Sequence, residues 1–451
     1  MTRFALLILS LTLSQGFLRA QAPGTAGEIW DLTRCLDYAL EHSLDVALGD
    51  VAIRQADINV RQSKLAQLPN VSASASYGLG FGRNTTPDNQ TIDASRSQNN
   101  TFGINGGMTL FSGFAVRNNI RLNQSSRELA NMDRSAAEDL VKLNVATAYV
   151  GVLLAMEDEK RLQSQLLVSQ ENLANSVRLA EAGVIPEGNL RDLEAQLAND
   201  ELGLIQTENG VKLAYLGLRL TMQTEAGLAF IVRPPSDERM AAELVKEDWD
   251  ANVIFQRASG TLAAITSNDL AESIAAQNII LARSAFWPTL SLGGGANTSW
   301  FSSSELAAFL PSYGTQLDNN LAESVGLSLS IPLFSNGNNQ AAVQSAELGL
   351  RQQEIFNEQE LNQLRQTVQQ AVADADAAAG SFTASLKVVE ARRLATEFAQ
   401  KRFDAGQATA FEFNNARNLL QQAEANLLRA KYTFLLARKT IDFYMGKELS
   451  F

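Results

Sequence analysis

The sequence is an internal duplication in which equivalent residues lie 223 positions apart. Two heptad series of apolar residues match at this offset: Leu190, Leu197, Leu204, Val211 and Leu218 in the first half, and Phe413, Leu420, Leu427, Phe434 and Ile441 in the second. The same offset carries Leu110-Phe111-Ser112 onto Leu333-Phe334-Ser335 and Ala182-Gly183 onto Ala405-Gly406. Because separate features share one register, we expect two copies of one structural unit.

Long stretches without proline predict helices longer than a globular domain of this size needs. No proline lies between Pro87 and Pro186 or after Pro332, and apolar residues there alternate spacings of four and three, as in a coiled-coil seam. The seam residues are Val141, Val145, Ala148, Val152 and Ala155, then Leu364, Val368, Ala371, Ala375, Ala378 and Phe382. A helix from about Asn118 to Ala182 would be roughly 100 Å long. Each following heptad series predicts a helix that folds back as an antiparallel coiled coil.

Four runs of about ten residues alternate apolar with small polar side chains and carry no charge. They cover about 71–81, 101–111, 289–300 and 324–333. The length of these runs and their alternation of apolar and polar residues are typical of transmembrane β-strands. The polar connectors 82–100 and 302–320 resemble extracellular loops. A soluble sandwich or hairpin with one buried face is the alternative.

Each half therefore has the order helix, strand, strand, long helix, Gly turn, helix. We predict opening helices at about Leu32–Ala66 and Leu262–Phe286. The first repeat would cover 23–225 and the second 251–451, with 226–250 as a linker that packs on the outside of the helices.

Four strands cannot close a barrel, so the chain must oligomerise if it spans a membrane as strands. An open sheet edge in lipid leaves backbone groups unpaired, at a cost of several kcal/mol each. Two copies give eight strands, whose interior side chains fill. Three copies give twelve strands and leave room for a pore lined by Ser and Gly.

The first 22 residues have the pattern of a secretory signal. Arg3 precedes the apolar run 4–9, and Ala20-Gln21-Ala22 forms a small-residue cleavage site. Cleavage there removes Arg3 and Arg19 and changes the net charge from −12 to −14. Cys35 lies too far from this site to be an acylated first residue, so we predict no lipid anchor. We find no later apolar stretch approaching the ~18 residues of a membrane helix.

Composition and motifs argue against several function classes. The net charge of −12 argues against nucleic-acid binding, because the phosphate backbone is also negatively charged. The single cysteine, Cys35, and the single histidine, His42, cannot build a disulfide or a metal site, and packing on the first helix is the expected role of both. No nucleophile elbow or phosphate-binding Gly loop occurs. We therefore predict no enzymatic activity, catalytic residue, cofactor or metal.

The order of these features resembles the TolC family of outer membrane efflux proteins over nearly the whole mature chain. Leu68-Pro69 and Trp287-Pro288 match the helix-to-strand junctions, and Ile331-Pro332-Leu333-Phe334 leaves the last strand. The resemblance implies a homotrimer in the outer membrane of a Gram-negative bacterium. Its fold would be mainly α with a membrane β-barrel: twelve strands on a long periplasmic α-helical tunnel.

The resemblance also implies a passive exit channel of a tripartite efflux or type I secretion system. Its partners would be a periplasmic adaptor and, through it, an inner-membrane pump or secretion ATPase. Family members close the tunnel through polar contacts between helix tips and open it when the adaptor docks. The rival hypothesis is a periplasmic coiled-coil scaffold or adaptor without a barrel. The sequence leaves the transported substrate open.

The two Gly turns are the candidate functional site, because Gly reverses the chain at positive φ and leaves small side chains for another helical tip to contact. We predict these adaptor-docking residues: Ala182, Gly183, Leu190, Ala405, Gly406 and Phe413. Four acidic residues near the turns could form a cation-favouring entrance: Glu181, Glu187, Glu397 and Asp404. Ordinary solvated helix charges are the alternative for each of these four residues.

Overall fold

The structure is a computed structural model that describes residues 28–82, 84–85, 91–92, 96–225, 228–303 and 310–450. The predicted signal sequence lies outside these ranges, as do parts of both polar connectors.

The described elements follow one another in two similar series. The first series is β1 (Glu28–Trp30), α1 (Leu32–His42), α2 (Leu44–Leu65), β2 (Asn70–Gly80), β3 (Asn84–Thr85), β4 (Thr91–Ile92), β5 (Ser97–Ser112), α3 (Ala115–Glu181) and α4 (Glu187–Met222). The second is β6 (Phe230–Val232), α5 (Asp237–Glu243), α6 (Ala251–Thr261), α7 (Ala263–Arg283), β7 (Thr289–Ser303), α8 (Tyr313–Asn319), β8 (Ala322–Ser330), α9 (Asn338–Asp404) and α10 (Ala410–Tyr444).

The two longest helices show the duplication directly. α3 and α9 have 67 residues each and begin and end at positions 223 apart. At 1.5 Å per residue each is about 100 Å long. α4 packs back along α3, and α10 along α9, so each half contributes a long helical hairpin.

The first opening helix is broken, whereas the sequence predicted a continuous one, and the second is preceded by a helix, α6, that was not predicted. Ser43 has extended backbone angles, and its Oγ accepts a hydrogen bond from the Val46 N–H. It thereby ends α1 and caps α2, as Ser commonly does at a helix start. Leu262 has similar angles and separates α6 from α7, and α7 ends at Arg283 in a short 3₁₀ turn, Ser284–Phe286. The prediction of one continuous helix over Leu32–Ala66 is therefore wrong, whereas the helix predicted at about Leu262–Phe286 corresponds to α7 and this turn.

The four long strands form one antiparallel sheet in the order β2-β5-β7-β8. Directly opposed residues lie on the same face, so the apolar positions form one surface. Leu327 lies opposite Leu292, which lies opposite Met108, while Ser328 lies opposite Ser291. β5 and β7 extend further towards the loops than the sequence predicted.

β8 begins and ends earlier than predicted. It ends at Ser330 because Pro332 has no N–H to donate to the ladder. It begins at Ala322 and so includes Glu323 at its loop end, which the charge-free prediction for this strand did not include.

Both outer edges of the sheet are unpaired in the single chain. Among the described residues, β2 pairs only with β5, and β8 pairs only with β7. Large apolar side chains at these edges are exposed, including Val71 at 71% and Val325 at 84%. The sheet is therefore open and needs neighbouring strands if it is to lie in lipid.

The segment predicted as a linker, 226–250, contains β6 and α5 within its described part. β6 pairs in parallel with β1, and Trp30 stacks on Phe230 with ring centroids 4.7 Å apart. These residues belong to the largest buried cluster, which also holds Tyr149 of α3 and Leu435 of α10. The segment thus ties both repeats together, and its strand pairing was not predicted.

The single cysteine and histidine lie on α1. Cys35 is fully buried in this cluster, and burial, with a smaller contribution from Asp31, raises the pKa of its thiol to about 12. His42 is exposed and stacks on Tyr38, with ring centroids 3.9 Å apart. The Cys35 thiol is therefore protonated at neutral pH.

One helix is more apolar than the sequence analysis anticipated. α3 contains an 18-residue window with a mean hydropathy of 1.4, which meets the length and composition criteria of a membrane helix. Packing explains this hydropathy, since Val145, Tyr149 and Val152 of α3 are at most 1% exposed within the largest cluster.

Candidate functional site: the two helix tips

Each long hairpin reverses at a glycine with positive φ. Gly183 has φ +74°, its N–H donates to the Ala180 carbonyl at 2.9 Å, and the Val184 N–H donates to the Leu179 carbonyl at 2.9 Å. Gly406 has φ +69°, and the same two hydrogen bonds recur there. This is the Schellman pattern, in which Gly avoids the steric penalty of the left-handed region.

The two tips pack against each other around one apolar group, here called the tip cluster. It consists of Ile185, Leu193, Phe403, Ala410 and Phe413, all of them buried. The rings of Phe403 and Phe413 stack with centroids 5.4 Å apart. Because Ile185 and Leu193 come from the first repeat and the other three from the second, the cluster holds the two hairpins together at their ends.

The proposed docking residues divide into an exposed set and a buried set. Ala182, Gly183, Ala405 and Gly406 are exposed, and Leu190 is half-buried. Phe413 is 1% exposed inside the tip cluster, so it supports the tip from within and presents no contact surface.

An exposed aromatic residue at the tip was missed. Phe411 lies in the first turn of α10 and is 74% exposed. The sequence signal was its place two residues before Phe413, since residues two apart on a helix point to nearly opposite sides.

The four acidic candidates are all exposed, and two of them contact a side chain on their own helix. Glu187 lies 3.5 Å from Arg191, and Asp404 accepts a hydrogen bond from Gln400 at 2.8 Å. Exposed pairs of this kind stabilise little, because solvent screens them. In the single chain these carboxylates line an exposed surface and do not form a buried site.

A buried polar network above the tips joins three helices of both repeats. Arg417 of α10 donates to Asp200 of α4 and to Ser169 of α3. Gln165 donates to Asp200 at 2.7 Å, and Gln196 donates to it at 3.0 Å. The Arg417 and Asp200 side chains are 7% and 4% exposed. The Asp200 carboxylate thus accepts hydrogen bonds from both hairpins.

Burial lowers the pKa of the Arg417 guanidinium, and the Asp200 carboxylate opposes this effect. The pKa is lowered because desolvation of the guanidinium outweighs its attraction to the Asp200 carboxylate, as is common for buried ion pairs. Sequence analysis missed this network, although a signal existed: Asp200 lies midway between Leu197 and Leu204 at a seam position where an apolar residue is expected.

Within the described ranges, no group of three or more His, Cys, Asp or Glu side chains is arranged to hold a metal ion. The contacts at the tips can hold two hairpins together or release them, and the exposed turns can receive a helical partner.

Comparison with known proteins gives concordant results. The chain is 23% identical to the outer membrane protein TolC of Vibrio cholerae over 392 residues, which cover 84% of this chain and 82% of that protein. It is 23% identical to the outer membrane efflux protein BepC of Brucella suis, with 90% and 83% covered. The Campylobacter jejuni CmeC outer membrane channel has the same fold, with a TM-score of 0.75, 18% identity and coverage of 92% and 85%.

The outer membrane efflux protein family matches residues 35–222 and 263–447, which lie one in each repeat. This match covers most of both hairpins and decides against a periplasmic scaffold without a barrel. Its members are channel proteins and not enzymes. The chain therefore belongs to the outer membrane efflux protein family and is an outer membrane exit channel.

Proposed function

We propose that three copies of this chain form a passive duct that carries cargo from the periplasm across the outer membrane. The supporting observation is the open four-stranded sheet, with one apolar face and two unpaired edges, set on hairpins about 100 Å long. Three such sheets close a twelve-stranded barrel without a free edge. The helical hairpins then continue the duct into the periplasm.

A periplasmic adaptor is the proposed partner at the helix tips, and it connects the duct to an inner-membrane pump. The exposed small residues Ala182, Gly183, Ala405 and Gly406 allow close approach of another helical tip, and Phe411 offers an apolar anchor. Aromatic side chains that become buried on binding contribute much of the affinity in protein interfaces.

The proposed resting state is closed, held by the tip cluster and by the Arg417–Asp200–Ser169 network. Both join the first hairpin to the second within one chain. Adaptor binding would favour the conformation in which the hairpins separate, by the difference in its affinity for the two states. The exposed carboxylates near the turns would then face the entrance and favour cations.

Fractionation and conductance test the duct itself. We expect the mature protein in the outer membrane fraction, resistant to carbonate washing and released only by detergent. Reconstituted in a planar bilayer, it should give stepwise single-channel conductance. Recovery of the protein from the soluble periplasm without detergent would contradict the proposal.

Substitutions at Gly183 test the docking surface. A Cβ at Gly183 would meet no heavy atom within 4 Å, but the backbone has φ +74°. We expect Gly183→Asn to be tolerated, because Asn adopts left-handed angles readily, and to capture adaptor normally. Gly183→Trp should lose adaptor capture and export while its heat-modifiable trimer persists. Normal capture and export by Gly183→Trp would remove Gly183 from the docking surface.

A further inference from the structure

The duplication provides a template for the contact between neighbouring copies. α7 and β7 begin 219 residues after α2 and β2, and α9 begins 223 residues after α3. Within one chain, α3 and β5 of the first repeat contact α7 and β7 of the second. In a closed ring, the equivalent α9 and β8 edge must meet α2 and β2 of the next copy.

The first helix contact of the template is polar inside the chain. Ser267 of α7 donates a hydrogen bond through its hydroxyl to Asp133 of α3. The equivalents at the opposite edges are Leu48 of α2 and Phe356 of α9, at the offsets given above. Both are apolar, and they are 66% and 48% exposed in the single chain.

The second helix contact shows the same exchange of polar for apolar residues. Gln277 of α7 donates to Ser125 of α3 at 3.0 Å. Its equivalents are Ile58 of α2 and Leu348 of α9, which are 54% and 70% exposed. Two polar pairs inside the chain thus correspond to two apolar pairs at edges that the single chain leaves uncovered.

The strands extend the template into the barrel. Asn105 of β5 lies opposite Gly295 of β7, and their equivalents are Ser328 of β8 and Ser76 of β2. By the same mapping, Leu327 lies opposite Tyr77. Apolar residues then meet on the lipid face and serines meet in the lumen. A slip of two residues would also keep the faces aligned, so the template selects one register among several.

The order of helix contacts within the chain leaves two edges for a neighbouring copy. α3 packs against α2 on one side and α7 on the other, and α7 packs against α9. The uncovered edges are therefore those of α2 and α9, which carry the apolar residues Leu48 and Phe356.

We propose that a second copy of this chain binds along the α9–β8 edge, with its Leu48 against Phe356, its Ile58 against Leu348 and its Ser76 opposite Ser328. This inference rests on the proposed trimeric duct. The inference adds the residue register of the contact between copies. It also adds that this contact is apolar, whereas the equivalent contact between the two repeats within one chain is polar.

Cysteine crosslinking in the full-length protein in outer membranes tests the register. The pairs Leu48→Cys with Phe356→Cys and Ser76→Cys with Ser328→Cys should give covalent dimers and trimers on non-reducing gels. Asp133→Cys with Ser267→Cys is the matched intramolecular control and should leave the mass unchanged. Ser74→Cys with Ser328→Cys, shifted by two residues, should crosslink at least tenfold less. The wild-type chain, with Cys35 buried, provides the background.

A second test rebuilds the polar Asp133–Ser267 contact at the equivalent positions between copies, Phe356 and Leu48. Phe356→Asp alone should reduce the trimer fraction at least tenfold, because its carboxylate would be placed against Leu48. Adding Leu48→Ser rebuilds the Asp–Ser pair of the internal contact and should restore the trimer. Ser76→Cys and Ser328→Cys can be added to the double variant to read the register.

The outcomes separate the inference from the proposed function. Efficient crosslinking of the shifted pair in place of the matched pair would overturn the register and leave the trimeric duct intact. Failure of Leu48→Ser to rescue Phe356→Asp would overturn the helix pairing. A wild-type protein without any trimer in detergent or membranes would overturn the proposed function itself.

Discussion

Replacing Asp200 by Ala should destabilise the closed helix tips by about 3–5 kcal/mol, because Arg417 is then buried without its countercharge. Arg417 is 7% exposed, and among the described residues its remaining side-chain hydrogen-bond partner is the Ser169 hydroxyl. The least costly response is for the hairpins to separate and hydrate the guanidinium. We expect Asp200→Ala channels to show larger and more frequent openings in planar bilayers. Amide hydrogens of α4 and α10 near the tips should exchange faster.

Two matched variants show whether the charge imbalance is the cause. Asp200→Leu with Arg417→Met removes both charges and retains bulk, so it should be close to the wild type in exchange and conductance. Arg191→Ala removes exposed ion pairs with Glu187 and Glu194 and should change neither measurement. If Asp200→Ala conducts and exchanges like the wild type, the network does not hold the tips closed.

The repeat and the strand faces could be predicted from the sequence because both depend on residue spacing. The 223-residue offset correctly aligns α3 with α9, at both ends. Alternation placed Leu327 and Ser328 on opposite faces, and the register of the sheet does the same. The side-chain periodicity of a helix or a strand does not depend on the details of tertiary packing, so it can be detected in the sequence.

Features that depend on single side chains could not be predicted in this way. Ser43 breaks the opening helix through a hydrogen bond that competes with the helix backbone, and the apolar pattern does not register it. The pairing of β1 with β6 joins residues about 200 apart, and two three-residue strands have no periodicity to detect.

The candidate site was predicted only in part, because the sequence located the turns but not the directions in which their side chains point. Glycine turns identified the chain reversals, but a heptad position such as Phe413 indicates the inside of a coiled coil. Its 1% exposure follows from that position, while the neighbouring Phe411 faces solvent. The Arg417–Asp200 pair was missed because a charge at one seam position reveals neither its partner nor its burial.

Arginine at Leu327 should prevent assembly of the barrel, whereas arginine at Ser328 should be tolerated. Leu327 lies near the middle of β8 on the apolar face, opposite Leu292 of β7. A lipid-facing Arg near the bilayer midplane costs about 2–4 kcal/mol, and a homotrimer carries this cost in each copy. Leu327→Arg should therefore leave little heat-modifiable trimer in the outer membrane.

Ser328→Arg adds the same side chain one residue away on the opposite face of β8. The two variants therefore differ in the face that carries the arginine and not in the side chain added. Ser328 lies opposite Ser291 on the polar face, where a guanidinium remains hydrated inside a water-filled lumen. We expect normal trimer yield, with a smaller single-channel conductance and weaker preference for cations, because three positive charges then ring the pore. Equal loss of trimer in both variants would mean that the two faces of β8 do not differ in environment, which would contradict a lipid-facing barrel at this strand.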